Sequence, residues 1–129
     1  MPTHRIQLKG PWESNTKRGR VKMPAEVLEI TGEIPAEVQF QRYFHRPTNL
    51  DAHERVYVVI EEICSSANLK LNDQPIGSIS TGQAIAEFDI TQQLAVRNTL
   101  QLTFNDSFPT GHSEPGTLIW EVVAIEIRS

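Results

Sequence analysis

The sequence predicts an all-β fold, an antiparallel β-sandwich or jelly roll, and three observations predict it. Apolar and polar residues alternate with a period of two in one segment after another. Prolines and turn formers fall between those segments. No stretch carries the pattern of an amphipathic helix of three turns.

From the N-terminus, Ile6–Leu8 is a short strand, and the polar, glycine-bearing stretch Glu13–Arg20 breaks the alternation and reads as a loop. In the next strand Val38, Phe40, Arg42 and Phe44 share one face, with Tyr43 and His45 opposite. Arg55–Ile60 is β-branched and aromatic, with Val56, Val58 and Ile60 in line, a composition that suits a pleated surface better than a helix. Asn68–Leu71 runs into Asn72-Asp73, a two-residue hairpin turn of residues that tolerate positive φ, and then Ile76. Ala84–Phe88 is another short strand. Asp89-Ile90-Thr91 followed by Gln92-Gln93-Leu94 reads as a capped single helical turn.

Leu100, Leu102 and Phe104 alternate with Gln101 and Thr103, and Val123, Ile125 and Ile127 with Ala124, Glu126 and Arg128; both are half-buried antiparallel strands. Between them lies Asn105–Gly116, a loop of a length that is uncommon inside a compact domain and disproportionately functional. Pro47, Pro75, Pro109 and Pro115 fall between strand candidates, where a missing N–H costs least. About eight short strands at regular spacing make one sandwich.

At 129 residues the chain is expected to be a single domain, residues 1–129, large enough for a core without metal or disulfide staples. A net charge of −4 offers no basic field for nucleic acid, and the longest unbroken apolar run, Val56–Ile60, is far too short to span a bilayer. Met1–Arg5 lacks the apolar region of a secretory signal. Cys64, the single cysteine, cannot form an internal disulfide. The expected location is therefore cytoplasmic.

Five stretches recur in an order that carries a resemblance: Val38–Pro47, Arg55–Ile60, Leu69-Lys70-Leu71-Asn72-Asp73, Phe88-Asp89-Ile90-Thr91 and Asn98–Leu102, preceded by Leu8-Lys9-Gly10-Pro11-Trp12-Glu13. In this the chain resembles the N-terminal sugar-binding domain of family 2 glycoside hydrolases, the β-galactosidases and β-glucuronidases. The resemblance covers nearly the full chain and implies a galactose-binding-like jelly roll. It also implies an accessory module without a hydrolase centre, because those enzymes carry their catalytic carboxylates on a separate barrel of about 250 residues. Three positions depart from the family pattern: Asp73 replaces the hairpin glycine, Lys70 stands where relatives often place an aromatic, and Trp120 replaces an arginine at the entry to the last strand.

Sugar recognition needs planar apolar faces and a few fixed hydrogen-bonding groups. Asn105, Asp106, Phe108, His112 and Glu114 supply that inventory in one loop, and in the full-length relatives the corresponding loop approaches the barrel. The competing reading has Asn105 and Asp106 making turn hydrogen bonds while Phe108 plugs the sandwich end. Arg42, in line with Phe40 and Phe44, calls for a carboxylate, with Asp89 and Glu121 as candidates. Asp89 is otherwise the cap of the Thr91 turn, Asn72 shapes the hairpin, and Trp12 and Trp120 belong to the core or form an aromatic platform. The four histidines show no ligand spacing and no Asp/Asn cluster has calcium-site density, so neither metal nor cofactor is expected.

These residues support two functions, with a third poorly served. The first is a stand-alone, non-catalytic carbohydrate-binding module with a saccharide ligand. The second is a structural β-sandwich that lost the sugar and instead binds a protein partner or a second copy of itself. A small enzyme in its own right lacks paired carboxylates, a metal cluster or a nucleophilic triad.

Overall fold

A computed structural model of the chain describes residues 3–16, 19–30, 37–80, 82–105, 108 and 116–129. Among these the strands are β1 (His4–Gln7), β2 (Gly10–Ser14), β3 (Arg20–Met23), β4 (Glu37–His45), β5 (Arg55–Glu61), β6 (Ala67–Leu71), β7 (Gln74–Ile79), β8 (Ile85–Asp89), β9 (Arg97–Asn105) and β10 (Val122–Arg128), with one 3-10 turn at Val27–Glu29. All pairings are antiparallel. A four-stranded sheet runs β1-β10-β5-β8 and a six-stranded sheet runs β3-β2-β4-β9-β6-β7. No helix among the described residues is long and apolar enough to cross a membrane.

The period-two pattern accounts for both layers. On β5, Val56, Val58 and Ile60 face inward, and Val123 and Ile125 of β10 join them from the neighbouring strand. From the other sheet come Val38, Phe40 and Phe44 of β4 and Leu100, Leu102 and Phe104 of β9, in register along nine residue pairs from Glu37↔Asn105 to His45↔Arg97. Fully burying each such side chain is worth roughly 1.5–3 kcal/mol. An aromatic knot fills the middle: Trp12 and Trp120 meet edge-on with centroids 4.8 Å apart, and Phe40 lies 5.5 Å from Trp120 and 6.0 Å from Phe104.

Several expectations need correction. Glu13–Arg20 is not a loop throughout, because Glu13 and Ser14 finish β2 and Arg20 begins β3. The chain reverses between them with Ser14 N donating to Gly19 O and Gly19 N to Thr16 O, and Gly19 at φ +72° supplies the left-handed residue the turn needs. Pro75 lies within β7 rather than between strands. β7 is an edge strand and its register with β6 shifts beside Lys70, so the absent N–H breaks no interior ladder. The Ile90–Gln93 segment closes one hydrogen bond, Gln93 N to Ile90 O at 3.0 Å, and forms a turn, not a helical one. The hairpin residues Asn72 and Asp73 do take positive φ, at 52° and 67°.

Candidate functional site

The long loop leaves the sandwich where β9 ends. Asn105 closes β9 opposite Glu37, but its side chain lies outside the described residues, as do Asp106, His112 and Glu114 altogether. Phe108 is described, and it is buried. Its ring packs 5.3 Å from Phe104 and 6.1 Å from Phe40, so its faces are occupied by the core and neither is offered to a pyranose. Where the loop returns, the Gly116 N–H donates to the Glu26 carboxylate and Val27 N donates to Thr117 O, tying the returning strand to the 3-10 turn.

Trp12 and Trp120 are 0% and 1% exposed, which removes them as a solvent-facing platform. The Trp12 indole donates to Leu8 O at 2.8 Å, satisfying the polar end that a buried tryptophan brings inside. Arg42 has neither Asp89 nor Glu121 as partner. It is half-exposed where β2 diverges from β4, and its Nε and Nη1 donate to Lys9 O at 2.7 Å and Tyr43 O at 3.0 Å. Partial burial without a counter-charge pushes its pKa below the ordinary arginine value. Asp89 caps the turn through Oδ1, which accepts from Thr91 N at 3.0 Å and Thr91 Oγ1 at 2.7 Å, while Oδ2 accepts from Arg55 at 2.7 Å. Asn72 accepts from Thr99 N at 2.9 Å and donates to Asn98 Oδ1 at 3.0 Å, locking the β6–β7 hairpin onto β9.

The two solvent faces differ in kind. On the four-stranded sheet, Arg5 reaches across β10, donating to Glu126 at 2.9 Å and to Glu61 of β5 at 2.8 Å; Arg128 donates to Glu126 at 2.8 Å and to Glu87. Burial raises the pKa of Glu126, but the hydrogen bonds from Arg128 and Arg5 outweigh it and leave the carboxyl below its usual range. The Arg128 guanidinium also lies 4.2 Å over the Tyr57 ring. This face consumes its own charges.

Among the described residues, the six-stranded sheet instead carries shallow depressions, three of them bordered by its outward side chains. One of 280 Å³ is bordered by Asn68, Ser78 and Thr103, one of 200 Å³ by Asn15, Gln39 and Gln41, and one of 250 Å³ by Pro11, Arg42 and Tyr43. Of these residues only Arg42 was given a role from sequence, and that role was structural. The signal was present in the polar members of the same alternation, of which Tyr43, Gln101 and Thr103 were used only to mark the outward direction.

Other chemistry is sparse. Burial pushes the Cys64 thiol up to about 12, so it stays protonated at neutral pH and is a poor nucleophile. Among the described residues no group of three or more His, Cys, Asp or Glu is placed to hold a metal ion.

Residues 31–118 match the family model for the glycosyl hydrolase 2 galactose-binding domain-like domain. No curated protein matches the chain in sequence. Among solved structures, the β-glucuronidase of Bifidobacterium dentium, complexed with coumarin-3-O-glucuronide, superposes with a TM-score of 0.73 at 17% identity, covering 97% of this chain and 30% of the enzyme. The β-D-glucuronidase of Dictyoglomus thermophilum gives 0.71 at 14% identity over 97% of this chain and 28% of its own. A glycosyl hydrolase family 2 member from Bacteroides cellulosilyticus gives 0.69 at 13% identity over 95% and 20%. The chain thus spans less than a third of each of these proteins and shares the fold of that part. With two sheets in the same arrangement and a family match over most of its residues, the chain belongs to the glycosyl hydrolase 2 galactose-binding domain-like family.

Proposed function

We propose that this domain is a non-catalytic carbohydrate-binding module that acts in its own right. The observation that carries the reading is the match of residues 31–118 to a galactose-binding-like domain of glycoside hydrolases. The chemistry of the surface supports binding over hydrolysis. Carboxylates on the four-stranded sheet are held by arginines, as Asp89 is by Arg55 and Glu126 by Arg5 and Arg128. A glycosidase needs two carboxyl groups free to face one glycosidic bond.

The second reading, a protein-interaction module without a sugar, is favoured by one observation. Val96 is 80% exposed just before β9, and Arg97, next to it in the chain, lies over the half-exposed Tyr43 ring, so apolar and cationic groups suited to a partner surface are exposed at this end of the strand. Nuclear magnetic resonance titration with a broad glycan panel at millimolar concentration, paired with sedimentation of the same sample, separates the two. Saturable shift changes in a monomer support the module. A dimer or higher species with no glycan response refutes it in favour of the second reading. Turnover of chromogenic glycosides by the purified chain would overturn both.

A further inference from the structure

We infer that the saccharide site is the solvent face of the six-stranded sheet, not the loop after β9, and that its ligand is an extended neutral oligosaccharide lying across the strands. This rests on the carbohydrate-binding reading above.

The register builds the face. Gln39 of β4 stands opposite Thr103 of β9, Thr103 opposite Asn68 of β6, and Asn68 opposite Ser78 of β7. Four neutral hydrogen-bonding side chains therefore form one row over four adjacent strands, which are spaced about 4.8 Å apart. The next row sets Gln41 opposite Gln101, and Gln101 opposite Lys70, with Glu13 of β2 completing its other end. Rows of amides and hydroxyls at regular spacing match a polymer of hydroxyl groups, each amide offering both donor and acceptor.

These groups are also available. Gln39, Gln101, Thr103 and Asn68 direct no side-chain hydrogen bond to another group among the described residues, and Gln41 only touches Glu13 at 3.5 Å. The charged groups within the two rows, Glu13 and Lys70, sit at opposite ends and leave the middle neutral, which suits an uncharged ligand. The arginine–carboxylate pairing on the opposite sheet leaves no comparable set there. Each depression on the face is smaller than the roughly 300–1,000 Å³ of an enclosing small-molecule pocket. Shallow hollows spread over three neighbouring rows suit a chain that spans them better than a single sugar.

An aromatic stands at the end of the next row. Tyr43, opposite Thr99, is 46% exposed, with the Arg97 guanidinium 4.7 Å from its ring centroid. The remaining ring surface is open to the C–H face of a pyranose.

The test uses the intact chain, labelled for resonance assignment, titrated with galactose and with β-1,4-galactotetraose, cellotetraose, xylotetraose and mannotetraose. At least one tetraose is expected to bind ten-fold or more tighter than galactose, with shift changes centred on Gln39, Gln101, Thr103 and Asn68. The exposed double variant Gln39→Ala/Gln101→Ala is expected to weaken that affinity about ten-fold, the loss of one to two net hydrogen bonds, with the thermal midpoint unchanged. Tyr43→Ala is expected to weaken it about five-fold. Shift changes confined to residues 106–115, with the double variant binding normally, overturn this inference and leave the carbohydrate-binding reading standing. Sheet-face resonances that broaden with protein concentration but not with sugar identify a second copy as the occupant and overturn it as well. Silence toward every saccharide sinks the underlying reading itself.

Discussion

Asn98 is fully buried, and its side chain holds three separate segments together. Its Oδ1 accepts from Ala95 N at 2.9 Å and from Asn72 at 3.0 Å, and its Nδ2 donates to Ala95 O at 3.0 Å and more weakly to Phe44 O at 3.5 Å. Truncation would strip the shared partner from the Ala95 N–H, the Asn72 amide and the Ala95 and Phe44 carbonyls, in contacts that are buried or partly buried. Asn98→Ala should therefore cost about 2–4 kcal/mol, read as a lower urea midpoint with unchanged slope. A loss under about 0.5 kcal/mol would show that the network is incidental. Single residues of this kind are poorly legible in sequence. Asn98 looks like a polar turn residue until the fold brings Asn72 and Phe44 to it. Arg42 misleads in the opposite way: its place among apolar residues calls for a carboxylate, yet the backbone carbonyls of Lys9 and Tyr43 fill that role, and carbonyls leave no trace in residue identities. The burial of Trp12 and Trp120 was easier to read, since Trp12 follows an apolar strand candidate and Trp120 stands among Leu118, Ile119 and Val122.

At the scale of elements, the two sheets meet along the edge where β7 and β8 approach each other. A Cβ built on Gly77 of β7 would lie 2.3 Å from the Phe88 ring of β8, which packs against the core with Gly77 beneath it. Gly77→Ala should therefore force the ring aside and cost about 1–3 kcal/mol. The double variant Gly77→Ala/Phe88→Leu should recover part of that loss, and additive losses in the double-mutant cycle would disprove the steric account. The long strands were legible because β4, β5, β9 and β10 each place three or more apolar residues at period two. The β2–β3 hairpin was not. Only Trp12 on β2, and Val21 and Met23 on β3, face inward there, too few to stand out among Gly10, Pro11, Arg20 and Lys22. The candidate face had the same difficulty, because alternation marks which side chains point outward but not which outward side chains a ligand would use. Pairing register supplies that information, and register appears only once β4, β9 and β6 are side by side.

Over the whole molecule, the ion pairs among the described residues lie on the four-stranded sheet, and this placement sets how the fold responds to acid. Asp89 and Glu126 both lie on the four-stranded sheet. Burial favours their protonated forms, but hydrogen bonds and charge from Thr91 and Arg55 for Asp89, and from Arg128 and Arg5 for Glu126, prevail and lower both pKa values. A carboxyl whose pKa is lower folded than unfolded contributes stability above its unfolded pKa, about 4, and loses it as pH falls through the folded value. The urea midpoint should therefore hold steady from pH 8 to about 5 and then decline as both groups protonate. The double variant Asp89→Asn/Glu126→Gln should start lower at pH 7 and decline less steeply, since the pairing it lacks cannot be titrated away. Added salt should narrow the difference at pH 7, because Arg5, Arg55 and Arg128 remain partly exposed and their pairing is screened. Equal acid slopes in the two proteins would show that other carboxylates govern acid unfolding. Because Gln39, Gln101, Thr103 and Asn68 do not titrate, saccharide affinity on the opposite sheet should stay flat over the same interval until unfolding removes it, so that acid separates the two layers by function.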